Sequence, residues 1–203
     1  MWHKFQMVED VIRNGQHDWI WWIDVDTLIT NTTISLAEII DESLESVDAP
    51  EMVDFLVTDD WYTSRSRRFV TMCLTQYSNE LNAGSILIRS NQRSVRFIDA
   101  MRELYDEEKP RSNPGYNEQD AMRNLIKRGS PLANHVLRIP QWKINALPQE
   151  IRCYDDSERP WEKGMFVVHF PGAAWHIRTK DPKGFLMRQY EDEIIWAPDS
   201  DIK

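Results

Sequence analysis

The chain has 203 residues, of which 41% are hydrophobic and 11% aromatic, enough core formers for one folded domain and too many for intrinsic disorder. Its 33 acidic against 24 basic side chains leave a formal charge of −9, which repels a phosphate backbone and argues against nucleic acid as a partner. No run approaches the ~18 consecutive apolar residues of a membrane span, and Lys4, Glu9 and Asp10 fall where a signal peptide would be apolar.

From His3 to Asn14, Phe5, Val8 and Ile12 recur at helical spacing, and Gly15 follows as a left-handed cap. Trp19-Ile20-Trp21-Trp22-Ile23 is a continuous β-favouring run without polar alternation, which predicts a strand covered on both faces. It ends in Asp24-Val25-Asp26. After Asn31, caps of Asn and Thr precede Leu36, Ile39, Ile40 and Leu44, a second helix. Val53 to Thr58 reads as a strand ending in Asp59-Asp60, and Ser85 to Arg89 as another, entered through Asn82-Ala83-Gly84. Ser94 to Tyr105 has Val95, Ile98, Met101 and Tyr105 on one helical face, and Asn117 caps a helix running to about Lys127, stopped by Gly129 and Pro131. Val136 to Ile139 and Phe166 to Phe170 are the remaining strand candidates, with a terminal helix over Phe185 to Ile195. The alternation implies an α/β sheet with helices on both faces, whose ligands lie beyond the carboxyl ends of the strands. The cysteines, Cys73 and Cys153, are too few for a disulfide scaffold and are spaced unlike a zinc motif, leaving one bridge open as an option.

Acidic residues end two of these strands, which directs attention to Asp24, Asp26, Asp59 and Asp60. Asp-x-Asp is weak by itself: Asp199-Ser200-Asp201 is another copy, in a polar tail where a solvated charge cluster is the simpler reading. Asp24 and Asp26 differ because, in extended backbone at the mouth of an apolar strand, residues i and i+2 point the same way. Their carboxylates then converge on one hard divalent cation, and would repel each other without it. His169 is either a third ligand or a satisfied core histidine. Glu118, Gln119 and Asp120 stand at a helix start, where acids are favoured by the helix dipole alone, so a catalytic and a purely electrostatic reading compete.

Four ordered motifs carry a resemblance. Trp19-Ile-Trp-Trp-Ile-Asp-Val-Asp26 with Thr27-Leu-Ile-Thr-Asn31, Leu81-Asn-Ala-Gly-Ser85-Ile-Leu-Ile-Arg89, Glu118-Gln-Asp-Ala121 and Val168-His-Phe-Pro-Gly172 resemble those of glycosyltransferase family 34. That family includes fungal Golgi α-mannosyl- and α-galactosyltransferases and plant xyloglucan xylosyltransferases. The similarity runs from about residue 2 to 172 of a single 1–203 domain, with 173–203 as an extension. It implies the GT-A fold, a Rossmann-like mixed sheet, and transfer of a hexose or pentose from GDP-mannose, UDP-galactose or UDP-xylose to a glycan acceptor, with retention and with Mn²⁺. It implies Asp24, Asp26 and His169 as metal ligands; Asn82, Ala83, Gly84, Asp60 and Gly172 on the substrate side; and Glu118 and Gln119 near the reacting sugar carbon. It also implies a Golgi-membrane, lumenal setting and admits homo- or hetero-oligomers with related transferases. Retention admits same-face attack or a covalent intermediate on Glu118.

Two departures stand out. Plant members carry Cys and Lys just after the His-Phe-x-Gly motif, where this chain has Ala173 and Ala174, so a cationic contact to the leaving diphosphate is missing or supplied elsewhere, with Arg178 or Lys180 as substitutes. The family also places its first nucleotide-binding strands upstream of the helix that opens this chain, so the expectation is an N-terminally incomplete domain with weakened donor binding. The rivals are a glycoside hydrolase using a carboxylate pair such as Asp60 and Glu118, and a sugar-binding pseudo-enzyme that keeps the fold without donor affinity.

Overall fold

In the computed structural model, which describes residues 2–60, 80–112 and 115–198, the elements follow in the order α1 (His3–Asn14), β1 (Trp19–Ile23), β2 (Thr27–Ile29), α2 (Leu36–Leu44), β3 (Phe55–Asp60), β4 (Glu80–Arg89), α3 (Gln92–Glu108), α4 (Glu118–Lys127), β5 (Val136–Arg138), α5 (Gln141–Ile144), β6 (Val167–His169), α6 (Ala173–His176) and α7 (Pro182–Glu191). Short 3₁₀ turns at Pro50–Met52 and Pro131–His135 lead into β3 and β5. Among the described residues no helix is long and apolar enough to cross a membrane.

Two compact units make up the chain. The first, Met1–Trp22, Ala49–Val57 and Leu81–Arg138, contains most of a four-stranded sheet ordered β1-β4-β3-β5. Strand β5 runs parallel to β3, pairing Phe55 with Val136. The end of β4 meets the residues just before β1 and β3, with the Ser90 N–H donating to Asp18 O and the Arg89 N–H to Asp54 O, each at 2.7 Å. Strand β4 therefore runs against both, and the sheet is mixed. Phe5, Val8, Phe55, Val57, Phe97, Ile98, Met101 and Met122 form the core beneath it, with the rings of Phe55 and Phe97 4.5 Å apart. Removing each of these side chains from water contributes about 1.5–3 kcal/mol. Asp54, fully buried, accepts from Arg93 at 2.7 and 2.9 Å and from Asn91 at 2.5 Å, fixing the start of β3 to the start of α3.

Strand β1 corrects an expectation. Its apolar run predicts burial on both faces, whereas all five residues are half-buried and the strand lies at the edge of the sheet. Tryptophan makes this possible because its indole is apolar with a polar end. Ile20 and Trp22 pack on the core, the Trp21 indole N–H donates to Ser85 Oγ at 3.0 Å, and the Arg89 guanidinium lies 4.5 Å over the Trp19 ring.

The second unit comprises Ile23–Asp48, Thr58–Glu80 and Ile139–Lys203. Its centre is a two-stranded antiparallel sheet in which Thr27 pairs with His169 and Ile29 with Val167. A core of Leu147, Ile151, Trp161, Val168, Phe170 and Leu186 covers it, and Tyr190 meets both Trp161 and Phe170 edge-on at 4.9 and 5.4 Å. Cys153 is buried there, while Cys73 lies outside the described residues.

Several boundaries differ from the sequence reading, and those of α7 and β4 have local reasons. Helix α7 begins at Pro182 rather than Phe185, because the Asp181 carboxylate accepts the Gly184 N–H at 3.0 Å and Pro182 suits the first helical position. It stops at Glu191, and Ile195 instead forms a bridge to Asn31. Strand β4 begins five residues before Ser85, so Asn82, Ala83 and Gly84 lie inside it despite their poor β propensity.

Candidate functional site

Among the described residues, the second unit holds a group that could ligate a metal ion, Asp24, Asp26 and His169. Strand β1 ends at Ile23, and Asp24-Val25-Asp26 turns directly into β2, so the two carboxylates converge through a turn rather than by extended-strand alternation. Val25 is 90% exposed between them, whereas Asp26 is buried. The pairing of Thr27 with His169 then sets the histidine beside Asp26, with the Phe170 N–H donating to Asp26 O at 2.9 Å. His169 Nε2 stands 3.5 Å from Asp26 Oδ1. One ligand atom each of Asp24, Asp26 and His169 lies within 4.8 Å of the others. Atoms bonded to one ion at about 2.0–2.4 Å are at most ~4–4.8 Å apart, so a single cation can reach all three.

The second layer prepares the donor set. His169 is 2% exposed, and its Nδ1 is 2.6 Å from Asn145 Oδ1. Because that amide oxygen only accepts, Nδ1 carries a proton and Nε2 is the ring atom turned toward the carboxylates. Asn145 is itself held, donating from Nδ2 to Thr58 Oγ1 at 2.8 Å, and both residues are fully buried. Burial pushes the Asp26 carboxyl upward, but hydrogen bonds and charge from His169 and Lys183 outweigh it and hold the group at about 2. Asp26 is therefore an anion at neutral pH. Two carboxylates and one imidazole suit Mn²⁺ or a similar divalent ion.

Threonine and asparagine of the Thr27-Leu-Ile-Thr-Asn31 motif keep β2 on β6. Thr30 Oγ1 donates to Met165 O at 2.8 Å and accepts from the Trp161 indole at 3.1 Å, while Asn31 Nδ2 donates to Gly164 O at 2.8 Å. Gly172 adopts a left-handed conformation, φ 62°, at the start of α6. Ala173 is buried and Ala174 exposed. Arg178 and Lys180 are exposed, and the cation that reaches the cluster is Lys183, whose ammonium pairs with Asp26 Oδ2.

The other sequence candidates lie in the first unit. Asn82, Ala83 and Gly84 are buried within β4, with Asn82 Oδ1 accepting the Gly84 N–H at 2.7 Å. Gly84 lacks the positive φ that would explain a glycine by backbone conformation. Gln119 Oε1 accepts the Ala83 N–H at 2.8 Å. Glu118 is 9% exposed, pairing through Oε1 with Lys4 at 3.0 Å, and its Oε2 is buried with no hydrogen-bond partner among the described residues. Glu118 is thus a buried, ion-paired acid in the first turn of α4 and not a surface one. Lys4, 8% exposed, also donates to Ala83 O at 3.1 Å. The side chain of Asp60, and Asp199 and Asp201 of the tail copy, lie outside the described residues. Sequence reasoning missed Asn145, Thr58, Lys183 and Lys4. Only Lys4 left a signal, a charge beside Phe5 and Val8 on the buried face of α1, which Glu9 shares.

The fold is that of GT-A glycosyltransferases. Crystal structures of the galactosyltransferase LgtC share it: the complex with donor and acceptor sugar analogs has a TM-score of 0.54 at 16% identity, over 95% of this chain and 68% of that one, and an active-site mutant of LgtC a TM-score of 0.52 at 16%, over 94% and 68%. At the sequence level, the profile of the galactosyl transferase GMA12/MNN10 family matches residues 1–178. The chain belongs to this family, glycosyltransferase family 34. Similar curated proteins include the probable alpha-1,2-galactosyltransferase gmh2 of Schizosaccharomyces pombe, 31% identical over 85% of this chain and 51% of its own length. The probable alpha-1,2-galactosyltransferase gmh1 of the same yeast is 29% identical over 96% and 59%. The probable alpha-1,6-mannosyltransferase MNN10 of Saccharomyces cerevisiae is 28% identical over 72% and 38%. The chain thus spans about half the length of the curated relatives it matches.

Proposed function

We propose that this chain carries the catalytic core of a metal-dependent, retaining glycosyltransferase that moves a hexose or pentose from a nucleotide-sugar donor to a glycan acceptor. The observation that carries the reading is the cluster of half-buried Asp24 with buried Asp26 and His169, in which a proton is held on the far side of the imidazole. A divalent cation bound there supplies charge that stabilises a departing nucleoside diphosphate. The chain's own part is to hold three donors at fixed spacing and to keep water from His169 Nδ1 by burying it against Asn145. The names of the relatives favour galactose or mannose as the sugar, with UDP-galactose and GDP-mannose as the first donors to test and UDP-xylose as the third. Glu118 and Gln119 belong to this reading as residues near the sugar carbon, with Asn82, Ala83, Gly84 and Gly172 on the substrate side. Membership of a family with fungal relatives supports a Golgi-membrane, lumenal setting.

The test is calorimetric titration of Mn²⁺ into the wild type and the Asp24→Ala/Asp26→Ala variant, followed by transfer assays with the three donors. The expected result is loss of the metal site in the variant and Mn²⁺-dependent transfer in the wild type. Equal affinity in both proteins refutes the site. Wild-type Mn²⁺ binding without donor affinity favours the sugar-binding rival, and metal-independent release of sugar the hydrolase.

A further inference from the structure

Lys183 pairs with one oxygen of Asp26 while the other faces His169 Nε2 at 3.5 Å. The two partners differ sharply in exposure: the Asp26 side chain is 6% exposed and that of Lys183 50%. The ammonium therefore reaches a buried carboxylate from solvent on a largely exposed stem. Its root, by contrast, is fixed. Asp181 caps the first turn of α7 through the Gly184 N–H, and the Phe185 N–H donates to Asp181 O at 2.9 Å. A Cβ at residue 184 would stand 2.1 Å from Asp181 Oδ2, so the cap in this form requires glycine next to Lys183. A mobile charge on an immobile root is the arrangement of a tethered counter-ion.

A divalent cation and an ammonium repel each other and cannot share Asp26 Oδ2. Resting on the proposed metal site, we infer that Lys183 is an exchangeable cation: it neutralises Asp26 while the site holds no metal, is displaced when a divalent ion binds, and then pairs with the diphosphate the ion recruits. Two consequences follow from the exchange. Lys183 weakens binding of the metal alone, because one ion pair must break. It strengthens binding of a nucleoside diphosphate to the metal-loaded protein, because a freed ammonium tethered beside the site gains an anionic partner. Metal and diphosphate thereby become coupled ligands, each tightening the other through one side chain.

The experiment titrates Mn²⁺ alone, and then UDP and GDP in saturating Mn²⁺, into the wild type, Lys183→Met, Lys183→Arg and Asp26→Ala. Lys183 is exposed, so its variants keep the fold, which circular dichroism checks. Lys183→Met is expected to bind Mn²⁺ about fivefold more tightly than the wild type, the size of a partly exposed ion pair, and to bind the better nucleotide more weakly. Lys183→Arg is expected to retain both wild-type behaviours. Mn²⁺ affinity unchanged or weakened in Lys183→Met, while Asp26→Ala abolishes binding, overturns the exchange and leaves the metal site standing. Tighter Mn²⁺ binding in Lys183→Met with unchanged nucleotide affinity overturns the transfer to diphosphate. Equal Mn²⁺ affinity in the wild type and Asp26→Ala removes the metal site and the exchange together.

Discussion

Replacing Asn145 with alanine tests whether the residues behind His169, and not merely Asp24, Asp26 and His169, make the proposed metal site. Asn145 is fully buried and its side chain makes two hydrogen bonds, accepting from His169 Nδ1 at 2.6 Å and donating to Thr58 Oγ1 at 2.8 Å. The Thr58 hydroxyl can rotate, but the His169 N–H is left without an acceptor at 2% exposure, which costs about 1–3 kcal/mol of stability. The ring is also released to carry its proton on Nε2, facing the carboxylates. Loss of such an outer partner lowers metal affinity about 10–100-fold, or about 1.4–2.7 kcal/mol. Urea unfolding gives the first quantity and Mn²⁺ calorimetry the second. Asn145→Asp separates them, because a carboxylate restores the acceptor for His169 but adds a charge at a fully buried position: affinity recovers and stability does not. If Asn145→Ala is folded and binds Mn²⁺ within about twofold of the wild type, His169 does not depend on this partner and the tautomer argument is wrong.

Lys4→Met is expected to destabilise the first unit by about 3–5 kcal/mol, since it strands the buried Glu118 carboxylate; the double variant with Glu118→Gln, followed by urea unfolding, should recover part of that loss. Glu118→Gln alone is expected to lower stability measurably, contrary to the near-neutral effect that a surface helix-start acid would show. Thr30→Val, nearly isosteric, leaves the Trp161 N–H without its acceptor and Met165 O without its hydroxyl donor, at about 1–3 kcal/mol for a stranded group. Because Thr30 fastens β2 to the segment entering β6, the same variant should also weaken Mn²⁺ binding in calorimetry.

The sequence was most legible where local chemistry decides structure. Helix α1 runs from His3 to Asn14 with Gly15 left-handed after it, and α4 starts at Glu118 with Asn117 accepting from the Gln119 and Asp120 N–H groups. Caps and apolar spacing are short-range signals, and they place these boundaries to the residue. The edge position of β1 was not legible, because five consecutive apolar residues read alike in a central strand and in an edge strand whose tryptophans bond through their ring edges and faces. At the site, Asp24, Asp26 and His169 could be singled out as residue types in motifs, and the family resemblance gathered them. The pairing of Asn145 with His169 and of Lys4 with Glu118 could not be read, because 24 and 114 positions separate the partners and neither asparagine nor lysine is informative without its neighbour.

The physical logic of the second unit follows from how little β-structure carries the proposed ligands. Strands β2 and β6 have three residues each, and an isolated two-stranded pair is marginal in water. What fixes their register is a set of bonds at both ends. The Thr30 and Asn31 N–H groups both donate to Phe166 O, at 2.7 and 3.2 Å, and the Phe170 N–H donates to Asp26 O at 2.9 Å. A slip of one residue would turn His169 from the carboxylates to the opposite face, so these clamps determine the proposed metal site as directly as Asp24, Asp26 and His169 do. The third clamp comes from outside the sheet: the His169 N–H donates to Ala146 O at 2.8 Å, next to Asn145, whose side chain orients the same imidazole. The loop after α5 thus sets both where the histidine stands and which nitrogen it presents. That dual constraint explains why a fully buried asparagine, costly to desolvate, sits where an apolar residue would pack more simply.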